Sequence, residues 1–102
     1  MEETRHGYTL TIPRLRQREV EAFRAAHAAL GSSDAVTSNG NTVRVAADMG
    51  WIVKVEKIDP DDDVPIGNLT GEAAGELFPF NIAWMATAIG KAYSTAFEPP
   101  GE

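Results

Sequence analysis

Pro79-Phe80-Asn81-Ile82-Ala83-Trp84-Met85-Ala86-Thr87-Ala88-Ile89-Gly90-Lys91-Ala92-Tyr93-Ser94-Thr95-Ala96-Phe97 is the stretch on which the fold of this 102-residue chain turns. Proline suits the start of a helix, because its fixed φ matches the first turn and its missing N–H is not needed there. Beyond Pro79 the apolar residues are too many for one face. Thr87, Lys91, Ser94 and Thr95 make one narrow polar stripe, while Phe80, Ile82, Trp84, Met85, Ile89, Tyr93 and Phe97 cover most of the remainder. A helix apolar over so much of its circumference is either central to a core or engaged with another molecule. A short chain does not easily surround one of its own helices, so both alternatives stay open. Trp, Tyr and Met are residues that protein interfaces over-use. Phe80, Trp84, Met85, Ile89, Tyr93 and Phe97 are therefore the candidate protein-binding residues.

Towards the N-terminus, Tyr8-Thr9-Leu10-Thr11-Ile12 alternates large apolar with small polar residues, the period-2 pattern of a short strand. Pro13 closes it, and residues 14–30 read as a helix stopped by Gly31. Val20, Phe23 and Leu30 form its apolar stripe, widened by Leu15, Ala22, Ala26 and Ala29. Residues 31–42 are rich in Gly, Ser and Asn and read as a loop. The next stretch admits two readings. Val43, Val45, Ile52, Val53 and Val55 favour a hairpin turned at Asp48-Met49-Gly50. Alternatively, Thr42 to Met49 is a short helix capped by Gly50, with Val43, Ala46, Ala47 and Trp51 facing inward. Residues 59–75 carry Pro60, Pro65 and three glycines and read as a linker, in which Thr70 and Ala73-Ala74 start a brief helix. The ends, 1–6 and 98–102, read as flexible extensions of one domain spanning 1–102.

Composition narrows the function. A hydrophobic fraction of 43% and a charged fraction of 24% are those of a globular chain. The sequence contains no cysteine, which removes thiolate metal sites and thiol nucleophiles and suits a reducing cytosol. Its longest apolar stretch, Ile82 to Ile89, falls far short of the ~20 residues that span a bilayer. The net charge of -6 is the wrong sign for a chain whose main ligand is nucleic acid. Arg14, Arg16 and Arg18 leave only a weak case for such binding.

Motifs that carry chemistry are scarce. Asp59, Asp61 and Asp63 have the spacing of the first EF-hand ligands, but Val64 stands where the loop needs glycine and Thr70 where it needs glutamate. His6 and His27 have no second ligand at metal-binding spacing, and no serine lies in a nucleophile elbow. Gly67, Gly71 and Gly75 lack the lysine and hydroxyl residue of a phosphate loop. The expectation is a chain without catalytic residues, metal or cofactor, working by binding protein.

The layout of strand, proline and helix in Tyr8-Thr9-Leu10-Thr11-Ile12-Pro13 and Arg18-Glu19-Val20-Glu21-Ala22-Phe23 resembles that of a known family. So do the segment ending in Gly50-Trp51-Ile52-Val53 and the final helix with Pro79-Phe80, Trp84, Ile89, Tyr93 and Ala96 before Pro99-Pro100. Together they resemble the small tail assembly chaperones of long-tailed bacteriophages. The resemblance implies a mainly α, non-enzymatic domain with a short N-terminal strand, and it favours the helical reading of 42–49 over an α+β fold with a central hairpin. It further implies a protein of the host bacterial cytosol that coats the helical tape measure protein, associates with itself and touches its client through the last helix. An alternative is a structural connector or tail subunit of the particle. Another is a small antitoxin-like regulator that meets a basic partner with the acidic turn at Asp61, Asp62 and Asp63.

Overall fold

The computed structural model describes residues 1–51, 53–55 and 67–99. The fold is mainly helical, with a small antiparallel sheet begun by the N-terminal segment. Strand β1 (Glu2–Arg5) turns into β2 (Tyr8–Thr11), followed by helices α1 (Gln17–Leu30) and α2 (Ala35–Asp48). Then come β3 (Val53–Val55), β4 (Gly67–Asn68), a 3-10 turn (Ala73–Glu76) and α3 (Pro79–Thr95). All strand pairs are antiparallel and the order is β1-β2-β3-β4, so α1 and α2 form a helical excursion between two neighbouring strands.

The alternation in β2 does what its pattern implies. Tyr8, Leu10 and Ile12 are each at most 1% exposed, while Thr9 and Thr11 face away. Residues 1–6, expected as a flexible end, instead supply the outer strand, with Arg5 paired to Tyr8 and Thr4 to Thr9. The turn between them is only His6-Gly7, and both residues have positive φ (54° and 84°). Those signs are what a two-residue hairpin needs for its twist to match that of its strands. The Thr4 and Thr9 hydroxyls lie 3.0 Å apart across the pair, and the Ile12 amide donates to the Met1 carbonyl at 2.8 Å.

Helix α1 starts later than its composition suggests. Arg14 to Arg16 stay outside, and the Arg16 amide donates to Glu19 Oε1 at 3.2 Å, closing the first turn. Its buried stripe is also narrower than expected. Val20 and Phe23 are buried and His27 half-buried, whereas Ala22, Ala26, Ala29 and Leu30 are exposed. Gly31 ends the helix at φ 67°.

The larger correction concerns residues 31–42. Only 31–34 are loop, and α2 runs through Ser38-Asn39-Gly40-Asn41 as one continuous helix. Two polar side chains fix it. Asp34 caps the start, accepting from the Thr37 amide at 2.8 Å and the Thr37 hydroxyl at 3.3 Å. Asn41, 3% exposed, donates to the Gly31 carbonyl at 2.9 Å and so ties α2 to the end of α1. The helical reading of 42–49 holds, with Val43 and Ala46 in the core, Ala47 half-buried and Trp51 2% exposed. Gly50 (φ 76°) donates to the Ala47 carbonyl and Trp51 to that of Ala46, a two-bond helix stop. Val53–Val55 is a strand, but it pairs with β2 and β4 rather than folding back on Val43 and Val45. Asp59, Asp61, Asp62 and Asp63 lie outside the described residues.

The brief helix expected after Thr70 is the 3-10 turn, opened by the Ala73 amide donating to Thr70 Oγ1 at 3.1 Å. Asp48, at the last position of α2, clamps this turn by accepting from the Gly71 amide at 3.0 Å. A Cβ at residue 71 would overlap the Asp48 carboxylate, so the carboxylate–amide contact requires glycine there. Helix α3 starts with Pro79 at its first turn and buries Asn81, Trp84, Met85, Ala86, Ala88 and Ile89. One hydrophobic cluster joins β2, the three helices and the 3-10 turn. Among the described residues no helix is long and apolar enough to cross a membrane.

Two predictions follow from these contacts. Gly71→Ala should lower unfolding free energy by about 1 kcal/mol in urea titration, by pushing the exposed Asp48 carboxylate off the residue-71 amide. Asp48→Ala should cost about 1 kcal/mol, the loss of one hydrogen bond. A Gly71→Ala variant as stable as the parent would show that Asp48 does not clamp the turn. The Thr37 amide, then the Thr37 hydroxyl, hold the Asp34 carboxyl below the usual carboxylate range. A depressed folded pKa means that the cap stabilises above the unfolded value and is lost as pH falls through the folded one. Thr37 amide-exchange protection should therefore fall on acidification in the parent and stay level in Asp34→Asn, which keeps an acceptor but does not titrate.

Candidate functional site

Successive residues on a helix turn by about 100°, and the exposure of α3 follows that rotation. Phe80, Ala83, Thr87, Gly90, Lys91, Ser94 and Thr95 form the outward strip, which includes all four residues of the expected polar stripe. The core side holds Met85 and Ile89, both at 0% exposure, with Trp84 at 8%. The rest of the chain covers one side of this helix, with α2 packed directly on it and β2 and the 3-10 turn in the same hydrophobic cluster. Met85 and Ile89 are thus packing residues with no surface to offer a second molecule, and Trp84 keeps only an edge at the surface.

The remaining candidates lie on the surface, but not together. Phe80 is 56% and Phe97 64% exposed, and the helical rise places them about 25 Å apart at opposite ends of α3. Tyr93, half-buried, links Phe97 to the core. Its ring centroid is 5.4 Å from that of Phe97 and 5.7 Å from that of Phe23, which stacks on Trp51 at 5.3 Å and 8°. Phe97 thus lies over an aromatic row that continues inward.

The apolar surface is concentrated at the N-terminal end of α3. Phe78, just before the helix, is 40% exposed and stacks on Phe80 at 6.1 Å. His6, held out by the hairpin turn, meets the Phe80 ring edge-on at 5.3 Å. A groove of ≈ 490 Å³ runs between α2 and the start of α3, lined by Val36, Gly40, Arg44, Leu77 and Ile82. Val36 stands at its rim, 78% exposed. A second groove of ≈ 420 Å³ lies against β1, lined by Glu3, Arg5, Phe80, Trp84 and Lys91. Ala83 lines both. Arg5 covers the Trp84 ring at 5.8 Å and pairs with Glu3 at 2.6 Å, so the N-terminal strand completes the burial of Trp84. The Trp84 indole N–H donates to Asn81 Oδ1 at 2.9 Å, which gives a buried polar atom its partner.

The candidate binding residues left out Phe78, and sequence reasoning missed Val36 and the groove. Phe78 was visible as an aromatic residue before Pro79, but its exposure depends on where the 3-10 turn stops. Val36 lay inside a segment read as loop. The two histidines have plain structural surroundings. His27 stacks on Phe23 at 5.9 Å, and its Nε2 lies 3.2 Å from the Ser38 carbonyl, tying α1 to α2. Among the described residues no group of three or more His, Asp or Glu could hold a metal ion.

This division of α3 predicts two contrasting substitutions. Phe80→Ser should change stability within about 0.5 kcal/mol, as surface positions do, whereas Trp84→Ala should cost about 3–5 kcal/mol. Urea unfolding of both variants measures the contrast; a large loss in Phe80→Ser would make the ridge part of the core. Comparison of the chain with protein-family models, with curated proteins and with solved structures gives no match.

Proposed function

We propose that this chain is a non-enzymatic protein-binding domain that acts as a phage tail assembly chaperone, covering the helical tape measure protein in the bacterial cytosol. The observation that carries this reading is the exposed aromatic pair of Phe78 and Phe80 at the start of α3, with Phe80 lining one groove and a second groove adjoining it at Ala83. Large apolar side chains left in water forgo about 1.5–3 kcal/mol each relative to full burial. Contiguous exposed apolar surface beside grooves is the usual mark of a protein-docking face. A client with its own apolar helix would cover that surface, and the net charge of -6 would keep the pair in solution. The strand-proline-helix layout and the final-helix cadence that resemble the chaperone family support the choice of client.

The test is co-expression with the long helical tape measure protein of the same genome. The client should be soluble only when this chain is present, in complexes holding several copies of it. A Phe78→Ser/Phe80→Ser variant with an unchanged melting temperature should lose most of that capture. No capture, together with recovery of the chain in purified particles, would replace this reading with that of a structural subunit.

A further inference from the structure

We infer that the groove between α2 and the start of α3 receives an amphipathic helix carrying a carboxylate within its apolar face, and that Arg44 reads that carboxylate. The lining is apolar at Val36, Leu77 and Ile82, yet it includes one cation. Arg44 is half-buried and, among the described residues, makes no ion pair, although the chain as a whole is acidic. Its Nη1 donates to Asn41 Oδ1 at 3.2 Å. Asn41 is itself fixed by its bond to the Gly31 carbonyl, so its oxygen holds the guanidinium in place. A guanidinium has five N–H donors, and this contact uses one.

Gly75 leaves the guanidinium its room, and Gly40 lies within van der Waals reach of it. A Cβ at Gly75 would stand 3.2 Å from Nη2, and one at Gly40 3.8 Å from Nη1. The cation therefore sits in a slot between α2 and the 3-10 turn, on the wall of an apolar recess. Charge complementarity names what belongs opposite it. A carboxylate can pair with the remaining N–H groups in a geometry that lysine or glutamine cannot satisfy, and exclusion of water by the apolar walls strengthens the pairing. The shape names the rest. A furrow between two packed helices accepts the side-chain ridge of a third, and ≈ 490 Å³ is ample for several side chains. The inference rests on the protein-binding reading above and adds the client's chemistry at one groove.

The probes are three synthetic 18-residue Leu/Ala-rich amphipathic helices, differing only in Glu, Gln or Lys at a central position of the apolar face. Fluorescence anisotropy should show the Glu peptide binding at least tenfold tighter than the other two, with its largest amide shifts at Gly40 and Gly75. Arg44→Gln should abolish the preference, and Arg44→Glu should transfer it to the Lys peptide. Arg44→Lys, which keeps the charge and tests folding, should retain part of it. Equal affinity for the three peptides, or shifts confined to Phe78 and Phe80, would overturn the inference. So would acetate alone shifting Gly40 and Gly75 as strongly as the Glu peptide, which would make the slot a small-anion site. The two readings fail separately. Undiminished capture of the tape measure protein by Arg44→Gln would sink the groove assignment and leave the chaperone. Peptide selectivity without client capture would do the reverse.

Discussion

Everything in this fold answers to the need to cover α3. Its Met85 and Ile89 are fully sequestered, and its outward strip reaches water. A chain this size has no layer to spare for the task. The cover is therefore assembled from pieces distant in sequence. The alternating face of β2 supplies Tyr8, Leu10 and Ile12, α2 supplies Val43 and Ala46, and the 3-10 turn supplies Ala74. The hairpin adds Arg5 over the Trp84 ring. At the end of α3 where the turn hands over to Pro79 the cover is incomplete, and there Phe78 and Phe80 stand in solvent.

Polar side chains set the positions of these pieces. Asn41 fastens the end of α1 to α2, and Asp48 fastens the last turn of α2 to the segment leading into α3. Asn81 satisfies the indole that α3 carries inward. Each is a short side chain at a junction where a backbone or ring donor or acceptor would otherwise lose its water, and the cost of leaving such groups unpaired makes the arrangement specific. The same device acts at the surface, where Asn41 also steadies Arg44 at the groove.

Helices α1 and α3, β2 and the Gly31 stop were legible because hydrophobic period and cap chemistry are local signals, whereas the valines of 43–55 favour strand and the helix over 42–49 was read from the resemblance. The N-terminal hairpin was not, since His6-Gly7 lacks the Asn-Gly or Asp-Gly signature of such turns and the strand it creates is polar. The first half of α2 was missed for a related reason. Ser38-Asn39-Gly40-Asn41 has turn propensity, and only the tertiary bonds of Asn41 and the Asp34 cap overrule it. The site was half legible. Periodicity placed the candidates on one helix, but it could not say which side the chain would cover. Trp84, Met85 and Ile89 went inward, while Phe80 and Phe97 were left at opposite ends. The groove arises from Gly40, Arg44 and Ile82, residues brought together only by the fold.

The two tryptophans sit at different seams of this assembly. Trp51 lies parallel to Phe23, where α1 meets the end of α2, and Trp84 lies beneath Arg5, where the hairpin meets α3. Neither ring is bathed in solvent, and each depends on a different element for its shelter. The protein thus carries two built-in optical gauges. Single-tryptophan versions would separate the emission of one seam from that of the other, so loosening of α1 could be watched independently of peeling of the N-terminal strand without attaching any dye.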